Sequence, residues 1–141
     1  MRTGSAVQSN ERLRFLLPAV DTSAAEARRR AHRQLVAWRT PEETCENATL
    51  ILSELVTNAL RHTASEIVGC ELRIDGPRLR VAVTGAGSGP ERRVRRAGED
   101  EEGGRGLLLV CALAQLWGVR PGKAGEGHIV WAELPLGPAH A

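Results

Sequence analysis

The chain has 141 residues, with 19 basic residues against 17 acidic ones and a formal net charge of +2. This length predicts one domain with a hydrophobic core of its own, and the nearly balanced charge gives no general attraction to DNA or to a membrane surface. The single lysine, Lys123, stands in Gly122-Lys123-Ala124, so the Gly-Lys-Ser/Thr sequence of a P-loop is absent. P-loop nucleotide binding is therefore excluded.

The cysteines and the amino-terminal residues indicate a protein of the cell interior. Cys45, Cys70 and Cys111 are odd in number, widely spaced and set among apolar residues, so we expect buried, reduced thiols and no metal site. Residues 1–12 lack the apolar segment of a signal peptide. No apolar run approaches the ~18 residues of a membrane span. We therefore expect a cytoplasmic protein without a membrane anchor.

The first part of the chain predicts a strand and then an amphipathic helix. Residues 13–18 form the strand, which Pro18 ends. Ser23 and Glu26 make a capping box, and the apolar residues that follow recur at helical spacing as far as Trp38. The opposite face of this helix carries four arginines, Arg28, Arg29, Arg30 and Arg33. Since no aromatic residues lie between them, we interpret this face as exposed to solvent, not as a nucleic-acid site.

A second helix has clearer signals. Thr40 is its predicted N-cap, Pro41 its first residue and Glu43 its capping-box glutamate. Six apolar residues then form a core-facing stripe that ends near Arg61. These residues are Ala48, Ile51, Leu52, Leu55, Val56 and Ala59.

The remaining elements complete an α+β pattern. Two strands, over 68–74 and 79–83, are joined by a turn at Asp75-Gly76-Pro77. Residues 85–104 lack periodicity, as in a lid or a binding loop. A buried helix over 107–117, closed by Gly118, and a last strand over 128–134 follow. This order predicts an α/β (α+β) two-layer sandwich, with helices packed on one face of a mixed, mostly antiparallel sheet. We expect a flexible segment over 1–12, the domain over 13–135 with its lid at about 88–104, and a tail over 136–141.

Two polar residues of the second helix form the first candidate site. Glu54 and Asn58 are one helical turn apart, on a face that we place outside the apolar stripe. An amide oxygen at such a position can bind Mg²⁺ together with phosphate, and a carboxylate can accept the proton of an attacking hydroxyl. By itself, the spacing fits an ordinary polar helix face better.

Two glycine-rich segments form the second and third candidates. Gly103-Gly104-Arg105-Gly106 precedes an apolar helix, where free N–H groups favour phosphate, although a flexible hinge explains the glycines equally well. Gly85-Ala86-Gly87-Ser88-Gly89-Pro90 follows a strand. These glycines either admit a flat base against the backbone or merely begin the loop.

The order of these segments is more specific than any one of them. Glu54-Leu55-Val56-Thr57-Asn58-Ala59, then the strand-end glycines, a lid and Gly104-Arg105-Gly106-Leu107 resemble the Bergerat-type ATP-binding fold. That superfamily includes the gyrase, heat-shock chaperone, histidine kinase and mismatch-repair ATPases. The chain is most similar to the stand-alone anti-sigma factor serine/threonine kinases of bacteria, especially the actinobacterial ones. The resemblance covers residues 13–135.

The resemblance implies ATP and Mg²⁺ as cofactors and assigns roles to particular residues. Glu54 matches the catalytic base and Asn58 the magnesium ligand. The first glycine box, which lies beside the adenine, matches Gly85, Gly87 and Gly89. The second, which holds the phosphates, matches Gly104, Arg105, Gly106 and Leu107. Trp131 matches the last sheet strand, which closes the site from below.

One position departs from the family pattern. The first glycine box normally begins with an aspartate that accepts a hydrogen bond from the adenine amino group, and Gly85 stands at that position. Loss of such a charge-assisted bond costs on the order of 1.5–3 kcal/mol, or roughly tenfold to a hundredfold in affinity.

Two functions follow from the resemblance. The first is an ATP-dependent serine/threonine protein kinase that phosphorylates an anti-sigma antagonist and binds a sigma factor. The alternative, motivated by Gly85, is a degenerate, non-catalytic module that binds a partner with weak or no ATP binding. A simple ATPase fits less well, because the sequence supplies no transducer domain. The family also implies a homodimer and partner contacts through the arginines of the first helix, with no direct contact to nucleic acid or membrane.

Overall fold

The computed structural model describes residues 11–62, 66–85, 109–110, 112–122 and 127–136. Two long helices and five strands make up this part of the chain. In chain order they are β1 (Arg12–Pro18), α1 (Ser23–Ala37), α2 (Glu42–His62), β2 (Ile67–Asp75), β3 (Arg78–Gly85), β4 (Leu116–Pro121) and β5 (His128–Pro135).

The strands form one five-stranded sheet in the order β1-β2-β3-β5-β4. Every strand pair in the described residues is antiparallel. Alternate residues of each strand face α1 and α2, so that Leu17, Val68, Val83 and Val130 are all buried between the two layers. The predicted two-layer α+β sandwich is confirmed.

The hairpin between β2 and β3 has the predicted turn. Gly76 and Pro77 alone connect the two strands, and Asp75 pairs with Arg78 across them. Gly76 has φ +63°, which suits the first central residue of a type II′ turn. A left-handed backbone at this position costs least with glycine, because glycine has no Cβ.

Helix α1 buries the predicted face but is not capped as predicted. Ala27, Ala31 and Leu35 are fully buried, whereas Thr22 occupies the N-cap and makes no side-chain capping bond. The Ser23 hydroxyl donates instead to the carbonyl oxygen of Pro18 at the end of β1. The predicted capping box is wrong, because this hydroxyl ties the helix to the strand before it.

The carboxylate of Glu26 also differs from its predicted capping role. It forms ion pairs with Arg29 and Arg30 on the exposed face of α1. The interpretation of this arginine face as solvent-exposed is confirmed, since all four of its arginines are exposed.

Helix α2 begins one residue later than predicted. The carbonyl oxygen of Pro41 accepts a hydrogen bond of 2.9 Å from the N–H of Cys45, and Thr40 Oγ1 is buried without a partner. Pro41, not Thr40, therefore takes the cap position. The predicted apolar stripe is confirmed, since all six of its residues are at most 4% exposed.

The predicted helix over 107–117 is wrong at its carboxyl end. Residues 109–110 and 112–113 are helical, but Leu116, Trp117 and Gly118 belong to strand β4. The N–H of Ala114 donates to the carbonyl of Val110, whereas the next N–H, of Gln115, donates to the carbonyl of Glu133 in β5. The chain leaves the helix there because β5 offers a ladder of backbone partners, which an apolar pattern alone does not reveal.

Two of the three cysteines lie in the described part and are buried and free, as predicted. Burial raises the pKa of the Cys70 thiol to about 12, and burial also raises that of Cys45. Both thiols are therefore protonated and unreactive at neutral pH. Cys111 lies outside the described residues. No helix in the described ranges is long and apolar enough to cross a membrane.

Candidate functional site

Helix α2 runs along β3 in the same direction. The Thr44 hydroxyl, in the first turn of α2, donates to the carbonyl of Pro135 over 3.4 Å, and Pro135 pairs with Arg78 at the start of β3. From Thr44 to Asn58 the helix rises about 21 Å, and from Arg78 to Gly85 the strand rises about 23 Å. Since β3 is the strand on which α2 packs most extensively, Asn58 and Gly85 lie at the same end of the two-layer structure.

Asn58 is buried in α2, with 4% of its surface exposed. Among the described residues, neither Oδ1 nor Nδ2 of its carboxamide has a hydrogen-bond partner. The expectation that Asn58 lies outside the apolar stripe is wrong. Steps of four and three residues from Ile51 through Leu55 reach Asn58, and these steps place it on the buried side of the helix. The spacing 51, 55, 58 is therefore the feature of the sequence that indicates burial of Asn58.

Glu54 lies one turn before Asn58 and is partly exposed. The neighbouring hydroxyls of Ser53 and Thr57 donate to helix carbonyls, those of Leu50 and Ser53 respectively. These hydroxyls are satisfied within the helix and do not serve the Asn58 carboxamide. A buried amide and a partly solvated carboxylate therefore share this end of α2.

Gly85 is the last residue of β3 and is buried. It follows Leu79, Val81 and Val83 in the strand alternation and so belongs to the sheet face that α2 covers. A side chain at position 85 would point toward the layer that contains Asn58. The structure thus places the position of the missing aspartate at the same end of the fold as Asn58.

The other predicted site residues lie outside the described residues. These are Gly87, Gly89, Gly104, Arg105, Gly106 and Leu107, together with the predicted lid. Within the described ranges, no group of three or more His, Cys, Asp or Glu residues could hold a metal ion. A Mg²⁺ ion bound by Asn58 would take its remaining ligands from phosphates and water, a coordination that Mg²⁺ commonly adopts. The buried, unpartnered carboxamide fits such an ion.

Trp131 does not face this site. It alternates with Val130 and Ala132, which are buried against the helices, so its ring lies on the opposite face of the sheet. There the guanidinium of Arg80 stands 4.6 Å from the ring centroid. The expectation that Trp131 lines the site from below is therefore wrong, because strand alternation turns its side chain away.

Comparison with known proteins identifies the domain. The family model described as "histidine kinase-like ATPase domain" matches residues 17–133. The chain belongs to this family. No curated protein sequence matches the chain significantly.

A solved structure shares the fold of this histidine kinase-like ATPase domain. The crystal structure of the RsbU and RsbW domains of Rv1364c from Mycobacterium tuberculosis aligns with a TM-score of 0.64 and 21% sequence identity. The alignment covers 89% of this chain and 32% of the other. Together with the family match, it confirms the Bergerat-type resemblance at the level of the domain.

Proposed function

We propose that this domain binds Mg·ATP and acts as an anti-sigma-factor-like regulator, transferring the γ-phosphoryl group to a serine or threonine of an anti-sigma antagonist. The observation that carries the proposal is the buried Asn58 carboxamide, which has no hydrogen-bond partner within the described part of the chain. Family membership supports ATP as the ligand.

The energetic cost of Asn58 supports a ligand at this position. Leaving a buried polar group unsatisfied costs about 1–3 kcal/mol, and such groups are few in native proteins. A cation with phosphates would satisfy Oδ1 and so recover this cost when the ligand binds. A leucine would fill the same space without the cost, so the amide is explained by binding and not by packing.

Glu54 is the candidate for proton transfer. When bound, Mg·ATP would supply the γ-phosphoryl group, and its Mg²⁺ would offset the charge of the phosphates. The Glu54 carboxylate would accept the proton of the attacking hydroxyl, and ADP would be the leaving group. Its partial exposure lets an acceptor side chain approach, while Asn58 remains buried one turn away. We assign phosphate contacts to Gly104, Arg105, Gly106 and Leu107, and adenine contacts to Gly85, Gly87 and Gly89.

The proposed partners are a sigma factor and its antagonist. The structural neighbour contains an RsbW domain beside an RsbU domain, which supports a role in regulation through protein partners. The exposed arginines of α1, among them Arg28 and Arg33, are candidate contacts with such a partner, and a homodimer is part of the same proposal.

Calorimetric titration with Mg·ATP and Mg·ADP tests the proposal. We expect Asn58→Ala to weaken Mg·ATP binding roughly tenfold or more, since it removes a direct ligand. Glu54→Gln should bind Mg·ATP as tightly as the wild type does. Its rate of phosphate release from ATP, measured with water as the acceptor, should be roughly 10²–10⁴-fold lower. Thr49→Val is the matched control, because Thr49 is a buried polar residue of α2 that donates to the carbonyl of Glu46, far from Asn58.

Gly85 favours a second function, a partner-binding module without catalysis. The Gly85→Asp variant separates the two, because it restores the carboxylate that the family uses for adenine. If the wild type binds neither nucleotide at millimolar concentration while Gly85→Asp does, the kinase proposal fails for this chain. If instead the wild type binds Mg·ATP and Asn58→Ala does not, Gly85 no longer gives a reason to prefer the non-catalytic module.

A further inference from the structure

The sheet face turned away from α1 and α2, here called the outer sheet face, carries exposed apolar side chains. Leu16 of β1 is 69% exposed, Ile67 of β2 is 52% exposed and Leu116 of β4 is 51% exposed. None of the described helices covers this face, since α1 and α2 both pack on the other one.

Arginines lie side by side across this face. Arg12 of β1 pairs in register with Arg73 of β2, and Arg73 pairs with Arg80 of β3. Like charges directly opposite one another destabilise a sheet. Three adjacent guanidinium groups are thus an arrangement that folding alone does not favour.

The neighbouring carboxylates, Glu71 and Glu133, neutralise only part of this arginine set. Glu71 is shared by Arg12, at 3.1 Å, and Arg14, at 3.7 Å. In the described part of the chain, neither Arg73 nor Arg120 forms an ion pair. An open cavity on this face is lined by five arginines, one glutamate and no other described charged residue. Glu133, beside the cavity, pairs with Arg80 at 3.0 Å, so these residues together carry a surplus of three positive charges.

The same cavity is also apolar. Leu16, Ile67 and Ile129 line it beside the arginines. On the outer sheet face the ring of Trp131 already has the guanidinium of Arg80 over it, at 4.6 Å, whereas Phe15 packs against the core on the helix side of β1. Bases of a single-stranded nucleic acid would therefore lack a free stacking platform among the described aromatic residues of this face. A second copy of the chain would bring a like-charged surface against this one.

We propose that the outer sheet face binds an acidic, amphipathic peptide segment of a partner protein. Carboxylates of the segment pair with Arg73 and Arg120, the two cavity arginines that form no ion pair with a described residue, and its apolar side chains pack on Leu16 and Ile67. Such charge-assisted bonds are stronger than neutral ones. The sheet lies between Leu16, Ile67 and Arg73 on this face and the buried Asn58 on the other, whereas Gly85 borders both the cavity and the proposed nucleotide site.

Fluorescence anisotropy with synthetic peptides tests the proposal on the full chain. The probe alternates glutamate and leucine. One control peptide replaces glutamate by glutamine, and another replaces leucine by serine. We expect the probe to bind roughly tenfold more tightly than either control.

Substitutions then locate the site. Arg73→Gln and Arg120→Gln should each weaken the probe roughly tenfold, and Leu16→Ser should also weaken it. Arg39→Gln is the matched control, because Arg39 is exposed, follows α1 and lies outside the sheet. Circular dichroism and thermal melts verify that each variant is folded, which is expected since Leu16 is mostly exposed.

Three results would overturn the proposal. Equal binding of the glutamate–serine peptide would show attraction by charge alone. Tighter binding of a single-stranded RNA oligonucleotide, with the same dependence on Arg73, would assign the face to nucleic acid. A wild-type dimer in sedimentation that Leu16→Ser converts to a monomer would assign it to a second copy.

Discussion

At the scale of single residues, the Asn58 side chain is proposed to favour nucleotide binding but to disfavour folding of the free protein. Its carboxamide is 4% exposed and unpartnered, so it lowers the stability of the free protein. Replacing this side chain by an apolar one of similar volume should therefore lower the affinity for Mg·ATP and raise the free energy of unfolding of the free protein.

We expect Asn58→Leu to raise the free energy of unfolding of the nucleotide-free protein by about 1 kcal/mol, because an unsatisfied buried amide disappears. The same variant should lose Mg·ATP binding. Urea titration with circular dichroism measures the first quantity and calorimetry the second.

Thr49→Val provides the contrast for this substitution. Its hydroxyl is buried and donates to the carbonyl of Glu46 over 3.0 Å, so its removal should lower stability by up to about 1 kcal/mol. If Asn58→Leu instead lowered stability as Thr49→Val does, the carboxamide would be a structural group and not a reserved ligand.

At the scale of elements, strand β4 depends on a close approach to β5. A Cβ at Gly118 would lie 3.0–3.2 Å from three ring atoms of Trp131, whereas a Cβ at Gly69 would meet its nearest atom at 3.5 Å. The Trp131 ring has little freedom to move, because Arg80 stands over it and Arg80 in turn donates to Glu133 over 3.0 Å.

We therefore expect Gly118→Ala to destabilise the protein by about 1–3 kcal/mol through overpacking. Gly69→Ala should leave stability unchanged or slightly raise it, since glycine is unfavourable within a strand. Chemical denaturation measured by circular dichroism compares the two variants. Equal changes in the free energy of unfolding would show that the Trp131 ring does not restrict the size of the side chain at position 118.

The elements differ in how far sequence patterns predict them. Helix α2 is long, and its apolar stripe from Ala48 to Ala59 meets one continuous core, so periodicity alone located it. Strand β4 follows helical residues with Gln115 as the one polar residue between Leu113 and Leu116, and its apolar residues fit either structure. Only the hydrogen bond from Gln115 to Glu133 shows where the helix ends and the strand ladder begins.

At the scale of the whole molecule, ligand binding and unfolding are linked. A ligand that binds only the folded state at a hundred times its dissociation constant adds about 2.7 kcal/mol of stability. In a domain of this size, this corresponds to a rise of roughly 10 °C in Tm.

We therefore expect Mg·ATP at a hundred times the wild-type Kd to raise the Tm of the wild type in scanning calorimetry, and to raise that of Asn58→Ala, which binds roughly tenfold more weakly, by about half as much or less. Gly85→Asp should show the same rise at lower ATP concentration, because its carboxylate restores a hydrogen bond to adenine. Mg²⁺ without nucleotide is the control. A wild type that ATP does not stabilise, beside a responsive Gly85→Asp, would favour the non-catalytic alternative.

The amino-acid sequence by itself determined the layer architecture, both long helices and the β2–β3 hairpin. It also determined that Glu54 and Asn58 lie one turn apart on the same helix. All of these depend on local spacing and turn chemistry. The sequence also shows that glycine occupies position 85, where the family pattern has an aspartate. The tertiary structure decided that Asn58 is buried without a partner, that Trp131 faces away from the site, and that Arg12, Arg73 and Arg80 are neighbours. These properties arise from strand register and helix–sheet packing between residues far apart in the chain, which a linear pattern does not specify.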